Sequence, residues 1–196
     1  RPALRLGGLP SSRKPTAGEP TQFWDSRHRV LTLPVPQTSS LEMIVPGFAT
    51  ATYPHRAQRT IEVWFLCRDL ASGQKQTIYG EGDETRGLEI YVQSGSLHLA
   101  GWNMPIQESG WSGSTISTAR LQANHWHHVA LVLNGKDELR DDAFRALLDG
   151  RAIATRPGSQ LWGRTQTITV GGLILTPNLQ SAIQNATVEH SLHGQI

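Results

Sequence analysis

The stretch His125-Trp126-His127-His128-Val129-Ala130-Leu131-Val132-Leu133, followed by Phe144-Arg145-Ala146-Leu147-Leu148-Asp149-Gly150, decides the fold. From Trp126 to Leu133 apolar residues dominate both alternating sets of positions, which predicts a strand covered on both faces or one entering a sandwich core. Asp149-Gly150 supplies the two positive-φ positions of a tight primed turn. Strand-forming runs flank it at residues 144–148 and 151–155, so this stretch reads as a hairpin.

Outward from there, Thr60-Ile61-Glu62-Val63-Trp64-Phe65 alternates with period two. Ile61, Val63 and Phe65 are expected on one face, and Glu62, Trp64 and Leu66 on the other. Gln76–Gly80, Gly87–Val92, Ser96–Ala100 and Ile168–Gly172 are further short strand-like runs, and Glu81-Gly82-Asp83 forms a turn between two of them. The chain holds 19 glycines and 11 prolines, which punctuate these runs, and no long stretch keeps a 3.6-residue period. That pattern favours an all-β sandwich over a helical or α/β fold, and 196 residues fit one domain. Residues 137–146 are charged and are expected to form a hairpin loop with one turn.

In this order and spacing, the Trp126–Ala130 strand, the Asp149-Gly150 hairpin, Thr60–Phe65, Gly87–Val92, Gly101-Trp102-Asn103 and Ile168–Gly172 resemble the laminin-G-like domains of the concanavalin-A-like jelly-roll superfamily. The resemblance runs from about Thr60 to the C-terminus. It implies a two-sheet antiparallel jelly-roll sandwich with Ile61, Val63, Phe65, Ile78, Leu88, Ile90, Trp126, Val129, Leu131 and Leu148 in or beside the core. It also implies an N-terminal strand beside the last one, which draws Val30–Leu33 and Leu41–Val45 into the sandwich. Ser191–Ile196 resembles the start of the family's closing strand without the acidic residue that usually follows. The expectation is a sandwich truncated within that strand, completed by further chain or open at its edge to a neighbour. Residues 1–22 are expected to be an extended basic arm or linker, and residues 23–196 the sandwich.

The chain carries 18 Lys and Arg against 16 Asp and Glu, a net charge of +2. Interspersed charge of this size argues against nucleic-acid binding, which requires several phosphates to be neutralised on one face. The N-terminal 30 residues depart from this, with Arg1, Arg5, Arg13, Lys14, Arg27 and Arg29 against Glu19 and Asp25. A solvated arm is the simplest reading, and docking on an acidic partner or an anionic membrane surface is the alternative. No apolar run approaches the roughly 20 residues of a membrane-spanning helix.

Three tryptophans fall in stretches rich in glycine, serine and polar residues, where loops at a sandwich end are expected. Trp102, Trp111 and Trp162 are therefore candidates for stacking on sugar rings, with Asn103, Gln107 and His98 supplying orienting hydrogen bonds. Packing within the fold is the competing role for each. Glu81 and Asp83, and Asp137 and Asp141, form two acidic groups that could offer hard oxygen ligands to calcium, although neither has EF-hand spacing. Lys136 and Arg140 neutralise the second group. His125 and His127 lie two apart on a strand, as in half of a zinc site, with His98, His190 or His193 as the remaining donors; packing and hydrogen bonding within the strand are the simpler role.

Enzymatic activity has little support. Glycosidases of the superfamily alternate acids along a strand as Glu-x-Asp-x-Glu, whereas Glu81-Gly82-Asp83 is followed by Glu84, Thr85 and Arg86. Cys67 stands alone at the end of an apolar strand and reads as an inert packed thiol. The expectation is a non-catalytic, extracytoplasmic binding or adhesion module that recognises carbohydrate or a protein partner, with calcium as a candidate cofactor. The alternative is an assembly subunit docked through residues 1–22 and an open strand edge.

Overall fold

The computed structural model describes residues 23–25, 30–32, 52–53, 57–82, 84–104, 110–162, 164–165, 168–171, 173–174, 188–189 and 192–196. In chain order the strands are β1 (Phe23–Asp25), β2 (Val30–Thr32), β3 (Thr52–Tyr53), β4 (Gln58–Cys67), β5 (Gln76–Gly82), β6 (Arg86–Gln93), β7 (Ser96–Asn103) and β8 (Trp111–Thr118). They continue as β9 (Trp126–Asn134), β10 (Arg140–Leu148), β11 (Arg151–Gly158), β12 (Arg164–Thr165), β13 (Ile168–Val170), β14 (Leu173–Ile174), β15 (Val188–Glu189) and β16 (Gly194–Gln195). There is no helix among the described residues.

Two antiparallel sheets form the body of the molecule. The larger has the order β1-β2-β16-β4-β9-β10-β11 and the smaller β13-β5-β6-β7-β8; β12 with β3 and β14 with β15 make short separate pairs. Period-two alternation decides what each sheet contributes to the core between them. Ile61 and Phe65 of β4 are buried with Val129, Leu131 and Leu133 of β9 and Phe144, Ala146 and Leu148 of β10, and Val63 packs partly buried against them. Leu88, Ile90 and Val92 of β6, Leu97 and Leu99 of β7, and Trp111 and Ile116 of β8 fill the smaller sheet's side. Gly101 is required at the centre, because a Cβ there would come within 2.8 Å of the Trp111 ring and 2.9 Å of Leu88. At one edge the sheets are tied together by the Ser114 hydroxyl of β8, which donates to the Pro157 carbonyl of β11 at 2.6 Å.

The expected faces of β4 are found, and the expected turn too: Asp149 and Gly150 take φ of 51° and 75° between β10 and β11. Trp126 requires a correction, for it is 40% exposed. On β9 the inward set is His127, Val129, Leu131 and Leu133, and alternation sends Trp126 outward opposite Leu66. The charged segment also differs from expectation, since β10 begins at Arg140 and Arg140 pairs with Gly158. Only residues 137–139 remain as its loop.

β2 lies next to β16, with Thr32 opposite Gln195, and β16 pairs on its other side with Leu66 and Cys67 of β4. The start of the closing strand thus has neighbours on both sides. The arm at residues 1–22 and the strand expected at Leu41–Val45 lie outside the described residues.

Candidate functional site

On β6 and β7 the even-numbered and odd-numbered sets face opposite sides, and the residues left outside the core carry aromatic and hydrogen-bonding groups. Register places Gly87, Glu89 and Tyr91 of β6 opposite Trp102, Ala100 and His98 of β7, with Thr115 and Ser117 of β8 beyond them. Partners across a ladder share a face, so these residues form one outer surface. The Tyr91 and His98 rings stack with centroids 4.7 Å apart and an angle of 11°. His98 Nδ1 lies 2.8 Å from the Ser117 hydroxyl.

Lys75 closes the cluster from the segment before β5. Its ammonium is 2.6 Å from Glu89 Oε2 and 4.4 Å from the centre of the Tyr91 ring, an ion pair combined with a cation–π contact. The Thr77 hydroxyl donates to Glu89 Oε1 at 3.3 Å. Burial and then the neighbouring Glu89 charge raise the Tyr91 phenol above its ordinary value, so the ring stays neutral and its hydroxyl remains a donor. Beside this cluster Trp102 lies across Gly87, where a Cβ would come within 2.6 Å of the indole. Glycine at that position allows the ring to lie close to the sheet.

The other predicted tryptophans stand elsewhere. Trp111 is 2% exposed, with its ring 5.9 Å from that of Phe144, so the expected loop position is corrected to the core. Its indole N–H donates to Ser114 Oγ at 3.2 Å. Trp162 is half-buried, with the Arg86 guanidinium 5.7 Å from its ring centre. Asn103 is buried, and its amide donates to the Gln160 carbonyl at 2.8 Å and accepts from the Trp162 N–H at 3.4 Å. It holds the segment after β11 against β7 instead of facing solvent, which corrects the expectation of an orienting ligand contact. Gln107 lies outside the described residues.

Of the acids considered for calcium, the three described ones, Glu81, Asp137 and Asp141, have separate surroundings. A bulge between Thr77 and Tyr79 turns Tyr79 and Glu81 toward the core side, opposite Ile90 and Leu88. There Glu81 is buried, 2.6 Å from Arg59 Nη2, and accepts the Tyr79 hydroxyl at 2.9 Å. Burial, followed by the Glu81 charge, pushes the Tyr79 phenol up, which keeps it a donor. Asp137 accepts from the Gln160 side-chain amide, Asp141 is exposed on β10, and Asp83 lies outside the described residues. Among the described residues no group of three or more His, Cys, Asp or Glu is placed to hold a metal ion.

The histidines of β9 have partners within the fold. His127 Nε2 accepts the Gln122 N–H at 3.0 Å, so Nδ1 carries the ring proton and donates to Asp149 Oδ2 at 2.9 Å. His125 contacts the carbonyl of Ala123 at 3.0 Å. Lys75, Glu89 and Tyr91 were not singled out by sequence reasoning. Their signal was the polar and aromatic set interleaved with Leu88, Ile90 and Val92, which alternation places away from the core. A second exposed aromatic group occurs on the outer face of the larger sheet. Trp64 is 60% exposed with its ring centre 4.9 Å from that of His128, and Trp126 is a diagonal neighbour across the β4–β9 ladder.

A family model described as the concanavalin A-like lectin/glucanases superfamily matches residues 46–185, more than half of the chain. Comparison with curated protein sequences finds no match. Among solved structures, the chain is similar to the heptameric SAP-like pentraxin from Limulus polyphemus, with 19% identity and a TM-score of 0.48 over 74% of this chain and 63% of that one. It is similar to domains LG4-5 of the mouse laminin alpha1 chain, with 17% identity and a TM-score of 0.46 over 83% of this chain and 44% of that one. The carbohydrate binding module CBM66 from Bacillus subtilis gives 15% identity and a TM-score of 0.38 over 61% of this chain and 69% of that one. The chain thus spans less than two thirds of the pentraxin and laminin chains.

Proposed function

The chain belongs to the concanavalin A-like lectin/glucanases superfamily, and on that premise we propose that it is a non-catalytic, extracytoplasmic binding module that recognises carbohydrate through the outer face of its five-stranded sheet. The observation that carries this reading is the placement of Trp102 over Gly87, on the same face as the stacked Tyr91 and His98. Aromatic faces pack against the apolar faces of sugar rings, while Lys75 and Ser117 carry hydrogen-bonding groups for hydroxyls beside them, and the buried Glu89 holds Lys75 in place. Non-catalysis is supported by the carboxylates. Glu81 faces the core and pairs with Arg59, whereas Glu89 faces outward and pairs with Lys75, so the two do not flank a common bond. Screening immobilised glycans with the intact chain, Trp102→Ala and Tyr91→Ala tests the reading. Glycan retention by the intact chain, lost in both variants while the unfolding midpoint stays within a few degrees, is the expected result. Retention equal in all three would end it.

A second reading, an assembly subunit that docks on a protein partner, is favoured by Trp64 and Trp126. Two large exposed aromatic side chains on adjoining strands are typical anchors of protein interfaces. In this reading the basic residues 1–22 contribute to docking. A complex that survives Trp102→Ala and is lost in Trp64→Ser with Trp126→Ser would favour it over sugar recognition.

A further inference from the structure

His127 is a buried imidazole at the start of β9, and its two ring nitrogens are engaged by different segments of the chain. Nε2 accepts the Gln122 N–H at 3.0 Å, and Nδ1 faces Asp149 Oδ2 at 2.9 Å. Gln122 belongs to the connection of residues 119–125, which carries the chain from β8 of the smaller sheet to β9 of the larger. Residues 122–125 are exposed. Besides the Gln122 bond, the Asn124 N–H donates to the Cys67 carbonyl at 2.9 Å, and Leu121 packs against the core. Within the connection the His125 N–H donates to the Gln122 carbonyl at 3.3 Å. The bond from Gln122 to His127 is sensitive to acid, because only a neutral imidazole has a lone pair with which to accept an N–H.

We propose that His127 is an acid-operated latch: when its ring takes up a second proton, the β8–β9 connection is released and this end of the sandwich opens, while the β10–β11 turn stays fastened. In the imidazolium Nε2 carries a proton, so two N–H donors point at one another and the Gln122 bond cannot persist. The other nitrogen responds in the opposite sense. Nδ1 remains a donor, and its contact with the Asp149 carboxylate becomes an ion pair. Burial raises that carboxyl, but the hydrogen bonds it accepts from the His127 ring and the His128 N–H outweigh this and keep it charged through the range in which histidine titrates. Protonation thus breaks one of the two contacts and strengthens the other. The remaining ionisable groups nearby do not replace this pair. On β4, Phe65 lies 5.9 Å from the ring and burial keeps Cys67 a neutral thiol. His125 contacts the Ala123 carbonyl, and the His128 ring lies on the opposite face of β9, 3.9 Å from Glu62. Arg120 and Arg151 line a cavity with Asp149, Leu148 and Ile153 at the same end. The departing connection takes Arg120 from that cavity and Leu121 from the core, so this end is closed at neutral pH and accessible in acid.

Imidazole nitrogen NMR and amide hydrogen exchange on the intact chain test the latch between about pH 7.5 and pH 5, where histidine ordinarily takes up its proton. The His127 ring should show a bare Nε2 at the upper end and protons on both nitrogens at the lower. In step with that change, protection of the Gln122 amide, corrected for the intrinsic pH dependence of exchange, should fall roughly tenfold or more. Protection of the Leu131 amide in the centre of β9 should hold. Asp149→Asn removes the charge that favours the imidazolium, so both changes should move to lower pH. His127→Gln keeps an accepting oxygen and does not titrate, and Gln122 protection in it should be independent of pH. The proposal is overturned by an Nε2 that stays bare down to about pH 5, or by Gln122 protection that is unchanged while the ring gains its proton. It is equally overturned by protection lost alike at Gln122 and Leu131, which would be unfolding of the whole sandwich, or by a transition that Asp149→Asn leaves in place. The native chain and Asp149→Asn decide the matter by themselves should His127→Gln fail to fold.

Discussion

His127 and Asp149 are 22 residues apart in sequence and joined by a 2.9 Å hydrogen bond between Nδ1 and Oδ2, which fastens the β10–β11 turn to the start of β9. The same carboxylate accepts the His128 N–H, and a buried imidazole supplies one of its partners. Burial pushes the Asp149 carboxyl up, but the hydrogen bonds it accepts from the His127 ring and the His128 N–H outweigh it and hold it below its ordinary value of 3.8. Asp149→Asn keeps a residue that tolerates the positive φ yet removes the charge, and should lower stability by about 1 kcal/mol at neutral pH. A depressed folded-state pKa contributes stability that is present above the unfolded value and lost as pH falls through the folded one. The gap between native and variant midpoints should therefore narrow below pH 3.8 in thermal melts; a gap that widens there contradicts the assigned bond.

Trp111 and Trp126 should differ sharply when truncated. Trp111 is 2% exposed and packs on Phe144, so Trp111→Ala should cost roughly 3–5 kcal/mol. Trp126 is 40% exposed, and Trp126→Ala should cost no more than about 1 kcal/mol. Urea midpoints of the two variants check this, and similar midpoints would refute the placement.

Gly87→Ala tests the seat of Trp102. The added methyl would meet the Glu81 carbonyl at 2.4 Å and the indole at 2.6 Å, and the carbonyl belongs to the facing strand. Destabilisation of about 1–3 kcal/mol is expected, with a shift in Trp102 side-chain resonances. Unchanged resonances together with an unchanged midpoint would show that the ring does not rest there.

Cys67 should resist modification. It is buried, and burial pushes its thiol up to about 11, with the nearby Asp69 charge acting in the same direction and hydrogen bonds to Asp69 and Gln76 opposing. At pH 8 little thiolate exists, and the sulfur is covered. Labelling with a disulfide reagent should be slow in the native protein and rapid in denaturant. Fast native labelling would require an opening near β16.

The sandwich was legible wherever period two and turn chemistry act locally. Ile61, Val63 and Phe65 declare their face by alternation, and Asp149-Gly150 declares its turn because few residues accept positive φ at two successive positions. Trp126 was misplaced because size and hydrophobicity suggested the core, while parity on β9 reserves that side for His127. Trp111 was misplaced for the reverse reason: its polar neighbours Ser112, Gly113 and Ser114 suggested a loop, yet they belong to an outer strand of the smaller sheet with one buried side. The Lys75, Glu89 and Tyr91 cluster depends on three segments meeting. No spacing within any one of them encodes that contact.

The pairing of Arg59 with Glu81 bears on how the chain selects its own arrangement. A two-residue slip of β4 along β9 would keep apolar groups facing inward, because alternation is blind to even displacements. It would, however, carry Arg59 away from Glu81 and leave a carboxylate enclosed without its cation, which costs several kcal/mol. Misaligned strands that satisfy hydrophobicity are therefore rejected by charge, and the ion pair acts on competing conformations as much as on the native one.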